Sequence, residues 1–239
     1  MEIEQTAFVL HSRPYRETSA LVTFFTPEYG KINGVVRGVR GSSKSSSQKS
    51  ASIQPFQKLN LQWRDKAQSH SELVSIRQFE SLPIRFPLQS EANICGLYMN
   101  ELLYRLLFPQ VATETLFDFY QQSLYELLIA NDRKEQAWAL RQFESQLLIE
   151  MGHALVTDVD IEQQPIDPVM DYYYYPQSGA ILAVTDRVKN GILIKGECLL
   201  TMSNKDFCPD CLPSLKRLFR VLLSEYLGNK PIKTRELFQ

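Results

Sequence analysis

The stretch TSALVTFFTPEYGKINGVV, residues 18 to 36, sets the fold class. β-Branched and aromatic residues alternate roughly with polar ones on either side of Pro27-Glu28-Tyr29-Gly30, a turn signal. This predicts two short strands over 18–26 and 29–36. The pattern recurs at 5–12 (QTAFVLHS), 53–63 (IQPFQKLNLQW) and 70–79 (HSELVSIRQF), with Arg13-Pro14 as further punctuation. Five short strands in roughly 80 residues suit a small closed barrel of the oligonucleotide-binding (OB) type. An SH3-like barrel fits the strand count nearly as well, and periodicity does not separate the two.

Between the third and fourth strands lies RGVRGSSKSSSQKS, residues 37 to 50, with Arg37, Arg40, Lys44 and Lys49, no carboxylate and Val39 as its one hydrophobe. Such a segment is expected to be a mobile basic loop. Residues 1–80 hold eleven Lys and Arg against seven Asp and Glu, a net of +4. Residues 81–239 hold fifteen against twenty, a net of −5, so a chain of net charge −1 keeps its positive charge at one end. That asymmetry points to a polyanion partner, most often nucleic acid. A solvated surface loop is the alternative reading.

The period then changes. Ser81-Leu82-Pro83 and Pro87 mark a boundary, and helices are predicted over 89–108, 113–130 and 133–151, with Asn131-Asp132 between the last two and Gly152 as a C-cap. Three such helices on short links predict a helical bundle. Residues 155–200 are irregular apart from a hairpin in DYYYYPQSGAILAV, whose turn is Pro176-Gln177-Ser178-Gly179. A last helix covers about 213–227 and stops at Gly228. The expected organisation is α+β: a barrel domain over 1–80, then a mostly helical domain over 81–239 carrying a small hairpin insertion at about 155–200.

At 239 residues, 44% hydrophobic and 11% aromatic, the chain can build real cores, yet its apolar runs are too short to span a bilayer. The opening MEIEQTAFVL has acids where a signal peptide needs basic residues, so a cytoplasmic location is expected. No P-loop, dinucleotide glycine fingerprint, HExxH or Gly-x-Ser-x-Gly elbow is present. His11, His70 and His153 stand far apart, and no catalytic residue is assigned. Asp158-Val-Asp160 is the one pair that suggests a metal-dependent nuclease, and it reads better as a solvated loop. Cys208-Pro-Asp-Cys211 has metal-knuckle spacing with Cys198 ten residues earlier, but no second CxxC follows and Cys95 would have to come from a helix. Free thiols, no metal and no cofactor are expected. The tail YLGNKPIKTRELF sets Lys230, Lys233 and Arg235 around a proline, an ordered basic end that could touch phosphate or simply solvate the surface.

AFVLHSRPYRETS at 7–19, YGKINGVVRGVRGSSK at 29–44, IQPF at 53–56, GLYMNELLYRLL at 96–107 and YLGNKPIKTRELF at 226–238 together resemble the RecO family of bacterial recombination mediators, in order along nearly the whole chain. The resemblance implies an OB-fold N-terminal domain and a helical C-terminal domain. It implies work in the RecF pathway of DNA repair and recombination: binding single- and double-stranded DNA, annealing complementary strands, and helping RecA onto DNA coated by single-stranded DNA-binding protein (SSB). RecR and the acidic, apolar C-terminal tail of SSB are the implied partners, in the cytoplasm at the nucleoid, without nucleotide hydrolysis. Many RecO-like proteins hold zinc through two CxxC pairs before the hairpin. Residues 153–180 have no cysteine here, so the chain looks like the zinc-free branch.

With that resemblance, Arg13, Arg16, Arg37, Arg40, Lys44, Lys49 and Arg64 are the candidate DNA contacts, with Trp63 and Tyr15 as candidate stacking platforms. A non-catalytic interaction scaffold is the alternative. For the SSB tail, Arg141 among Trp138, Leu140, Phe143 and Leu147 offers a cation beside an apolar groove, and Arg133 and Lys134 stand ready for the acidic residues.

Overall fold

The computed structural model describes residues 1–41, 43–64, 73–183, 191–228 and 230–238. The N-terminal strands are β1 (Glu2–Tyr15), β2 (Ser19–Thr26), β3 (Gly30–Val36), β4 (Gln57–Arg64) and β5 (Leu73–Arg85). They close into a barrel in the order β1-β2-β3-β5-β4. Four of its strand pairs are antiparallel, and β3–β5 is parallel. A parallel pair requires a crossover rather than a hairpin. That crossover holds helix α1 (Lys44–Ser52) between β3 and β4, which makes the barrel OB-like and settles the ambiguity that strand count left open.

Alternation decides which residues fill the barrel. Val22 and Phe24 of β2, Ile32 of β3, Leu59, Leu61 and Trp63 of β4 and Ile76 of β5 point inward and are buried. On β1, Val9 joins that core, while Phe8 faces outward and is also fully buried, against Phe117 (5.4 Å between centroids) and Tyr120 (5.2 Å). Those rings come from α3 (Glu114–Ile129), which with α2 (Ser90–Leu106) covers this side of the barrel.

The register of β1 shifts between Val9 and His11, and Asn100 of α2 serves the irregularity. Its Nδ2 donates to the carbonyls of Leu10 (3.2 Å) and Val9 (3.4 Å), while the Tyr120 hydroxyl donates 2.5 Å to its Oδ1. Burial pushes that hydroxyl far above the ordinary tyrosine range, so it stays a donor. Asn100→Leu removes a buried amide that serves three groups and is expected to cost about 2–3 kcal/mol, against about 1 kcal/mol for Tyr120→Phe. Urea unfolding checks both.

Packing divides the chain into two compact units, one of residues 1–129 and 232–239, the other of residues 130–231. The three mid-chain helices therefore do not form one bundle: α2 and α3 belong with the barrel. Amphipathic spacing shows that a helix buries a face, not what that face meets. The second unit holds α4 (Arg133–Glu150), the strands β6 (Asp171–Tyr175), β7 (Gly179–Leu182) and β8 (Ile192–Lys195), and helices α5 (Gly196–Asn204) and α6 (Leu212–Leu227). The expected hairpin is β6–β7, and β8 adds a third strand on the other side of β6. α4 packs on α6.

Cys198 and Cys211 are joined as a disulfide, not free thiols as expected, because α5 and the turn before α6 bring their Cα atoms to 5.2 Å. Thirteen residues apart in sequence, they gave no sign of that approach. Cys95 is free and buried, and Cys208 is free and half-buried. Among the described residues, no helix is long and apolar enough to cross a membrane.

Candidate nucleic-acid interface

The segment 37–50 is not the mobile loop its composition predicts. Val39 and Ile53 are buried in the barrel core and fix both ends of it. Ser43 caps α1 by accepting from the Ser46 amide (3.1 Å), and the Ser46 hydroxyl bonds back to the carbonyls of Gly41 (3.0 Å) and Ser43 (2.8 Å). A helix held by caps and two flanking anchors needs no apolar face. Periodicity therefore could not find it.

The same anchoring aims the cations. The amides of Val39 and Arg40 donate to the Thr18 carbonyl (3.0 and 3.1 Å), and Arg40 Nη1 donates to the Arg16 carbonyl (3.1 Å). Arg16 and Arg40 thus meet at one end of the barrel, where the Arg16 guanidinium lies 5.2 Å from the Tyr15 ring centre. Arg37 and Lys49 turn into a groove of about 1130 Å³ across β3, β5 and β4. Its floor carries the outward residues Asn60 and Gln62 of β4, whose amides donate to the Glu4 carboxylate (2.5 and 3.2 Å), and Gln78 of β5. Glu2 and Glu80 also line it, while Phe79, paired with inward Leu61, packs on the barrel core.

Arg77 is a third groove cation that sequence reading missed. Its contact with Glu2 is 3.7 Å long and largely solvated, so a phosphate can displace the carboxylate at little cost. Outward positions on β4 and β5 were the available signal, but joining them required the register Gln62↔Gln78 and Asn60↔Glu80.

The other candidates scatter. Lys44 is exposed at the start of α1, and Arg64, exposed, ends β4 opposite Glu2. Arg13 lies on the part of β1 paired with β2, away from the groove. Trp63 is not a stacking platform: it is 2% exposed and packs edge-on against Tyr29 at 5.4 Å, because alternation along β4 turns it inward. Asp160 closes its own loop by accepting from the amides of Glu162 (2.8 Å) and Gln164 (2.9 Å), as a solvated turn would. His70 lies outside the described residues.

In the second unit, Asp132 caps α4 by accepting from Lys134 N and Glu135 N (2.8 Å each), leaving Arg133 and Lys134 exposed on the first turn. Arg141 is buried. Its Nη2 donates 2.6 Å to Glu144 Oε1, and its guanidinium carbon lies 5.6 Å from the Phe219 ring centre of α6. Sequence reading missed Glu144, although a carboxylate three residues on is the expected partner on a helix. Glu197, Cys198 and Cys211 cluster closely enough to hold a metal ion, but the two sulfurs are bonded to each other and so are not thiolate ligands.

A closed five-stranded barrel with a crossover helix, carrying Arg37, Lys49 and Arg77 beside Glu2 and Glu80 in one groove, belongs to the OB-type class of barrels, a class that includes oligonucleotide binders. The comparisons with known proteins sharpen this. Residues 1–84 match the family described as Recombination protein O N terminal, and residues 88–236 match Recombination protein O C terminal. The chain is 40% identical over 235 residues to the DNA repair protein RecO of Pseudomonas aeruginosa, covering 98% of this chain and 94% of that one. It is 39% identical over 237 residues to the DNA repair protein RecO of Nitrosospira multiformis, covering 98% and 94%. Against the DNA repair protein RecO of Pseudoalteromonas atlantica it is 37% identical over 245 residues, covering 100% and 95%. The chain belongs to the RecO family of DNA repair and recombination proteins.

Proposed function

We propose that this protein is a non-enzymatic mediator of the RecF pathway that binds single- and double-stranded DNA through its barrel, residues 1–80, and anneals complementary strands. In this reading it helps load RecA, together with RecR, onto SSB-coated DNA in the cytoplasm, at the nucleoid. The observation that carries it is the convergence of Arg37, Lys49 and Arg77 on one groove; Arg16, Arg40, Lys44 and Arg64 are further exposed cations of the same barrel in this reading. Lysines and arginines meet phosphates whatever the base sequence.

The tail of SSB docks on the second unit in the same reading. Arg133 and Lys134 meet its acidic residues, and Arg141 takes its terminal carboxylate while keeping Glu144.

Affinity for a labelled oligothymidylate, measured by anisotropy across a salt series, tests the DNA reading. Single-strand binding through the three groove cations is expected to give a log–log slope of about −2, near −0.7 per phosphate. A flat salt dependence, or no binding, would favour an interaction scaffold whose basic segment only solvates the surface.

A further inference from the structure

A second cationic surface on the barrel unit has no part in the groove. His11 and Arg13 of β1 are two residues apart, share a strand face and are exposed. The His11 ring packs on Tyr104 of α2, with centroids 5.5 Å apart. Lys31 of β3 also holds Tyr104: its Nζ donates 2.7 Å to the carbonyl and lies 5.7 Å from the ring centre.

Three residues before Tyr104, Glu101 anchors the C-terminal turn Lys233–Phe238. It accepts from Lys233 N (2.9 Å), Thr234 N (2.9 Å) and Thr234 Oγ1 (2.8 Å). That carboxylate is engaged by amides and a hydroxyl, and it leaves the Lys233 side chain exposed. Burial first, then the charges of Arg13 and Lys233, hold the His11 imidazole below its ordinary range.

Beyond the end of α2, Phe108 is 75% exposed and fixed in place. Pro109 bridges to Gly30 and Lys31, and Gln110 N donates 3.1 Å to the Lys31 carbonyl. Gly30 is needed for this approach: its φ is +52°, and a Cβ there would lie 2.0 Å from the Val111 carbonyl oxygen.

The two surfaces are well separated. Lys31 stands at the start of β3 and Arg37 just past its end, while His11 and Glu2 are nine residues apart along β1 on either side of its irregularity. Exposed rings interleaved with cations from separate chain segments form the pattern on which bases stack while phosphates are neutralised.

We propose that the face built by Arg13, Tyr104, Phe108 and Lys233 is a second single-strand nucleic-acid site, which holds the complementary strand while the groove holds the first. The assignment of the first strand rests on the groove reading above. Two strand sites on one unit raise the effective concentration of one strand near the other, so pairing no longer waits on free encounter.

The test uses the full chain and the Phe108→Ala/Lys233→Glu variant, neither of whose side chains holds the fold, with circular dichroism as the control. The first-strand affinity for oligothymidylate is expected to stay within about twofold, while the pairing rate of two complementary labelled oligonucleotides falls about tenfold or more. An unchanged pairing rate would overturn the proposal. So would an equal loss of first-strand affinity, because the two surfaces would then be one site. Loss of binding to an oligoglutamate peptide alone, with DNA unaffected, would mark the face as an acidic-peptide surface and also overturn it. The variant Arg37→Glu/Lys49→Glu/Arg77→Glu separates the two readings. If it binds oligothymidylate normally, the groove reading fails, and the second face still stands or falls on its own pairing result.

Discussion

Reversing three groove charges together, Arg37→Glu, Lys49→Glu and Arg77→Glu, is expected to weaken oligothymidylate binding a hundredfold or more at physiological salt. Losing three phosphate contacts removes about 2 units from the log–log salt slope, and the new carboxylates add repulsion within a Debye length of about 8 Å. Melting should barely change, because Arg37, Lys49 and Arg77 are exposed and the Arg77–Glu2 contact is a long, solvated pair worth well under about 1 kcal/mol. The loss should not depend on base sequence, since phosphate contacts carry none. A variant that binds as the parent does, with a normal circular dichroism spectrum, would remove the groove from the mechanism. Arg77→Glu alone should already shallow the slope, and it tests the one groove cation that sequence reading overlooked.

What the sequence disclosed follows from the range of each signal. Strand alternation is local, so β2 and β3 were predicted to within a residue at each end, and α4 over 133–151 against the observed Arg133–Glu150. Closure was not local. The parallel β3–β5 pair and the Gln62↔Gln78 register join residues that no window spans, so Arg37 could be named a contact while Arg77 across the groove could not. α1 was lost for another reason: its stability comes from Ser43, Ser46 and the flanking Val39 and Ile53, and hydrophobic periodicity measures none of these. Trp63 was legible in principle, since it continues the inward series Leu59, Leu61, and its burial follows from the period alone. The Cys198–Cys211 pairing and the Arg141–Glu144 pair differ again. The first depends on how α5 meets the turn before α6, and the second was open to a simple three-residue count along α4.

That second pair changes how the partner site must be tested. Arg141 and Glu144 have side chains 7% and 1% exposed, so Arg141→Glu would set two carboxylates side by side inside the second unit. Truncating one member of a buried pair already costs about 3–5 kcal/mol, and charge reversal costs more, so Arg141→Glu is expected to unfold this unit rather than report on a peptide site. The cost should appear in urea unfolding and as loss of near-ultraviolet signal from Trp138, which packs 6.1 Å from Phe207. Removing both charges at once behaves differently. Arg141→Met/Glu144→Leu keeps the volume and leaves no stranded ion, and apolar replacement of a buried pair is commonly neutral or stabilising by about 1–4 kcal/mol. This folded double variant is the correct probe. If Arg141 takes the terminal carboxylate of an SSB-type tail, the double variant should lose affinity for a fluorescent tail peptide by about tenfold or more, the weight of a charge-assisted hydrogen bond. Arg133→Glu/Lys134→Glu should weaken the same peptide in a salt-dependent way. Full peptide affinity in the folded Arg141→Met/Glu144→Leu variant would make the buried pair purely structural and move the tail site away from Arg141.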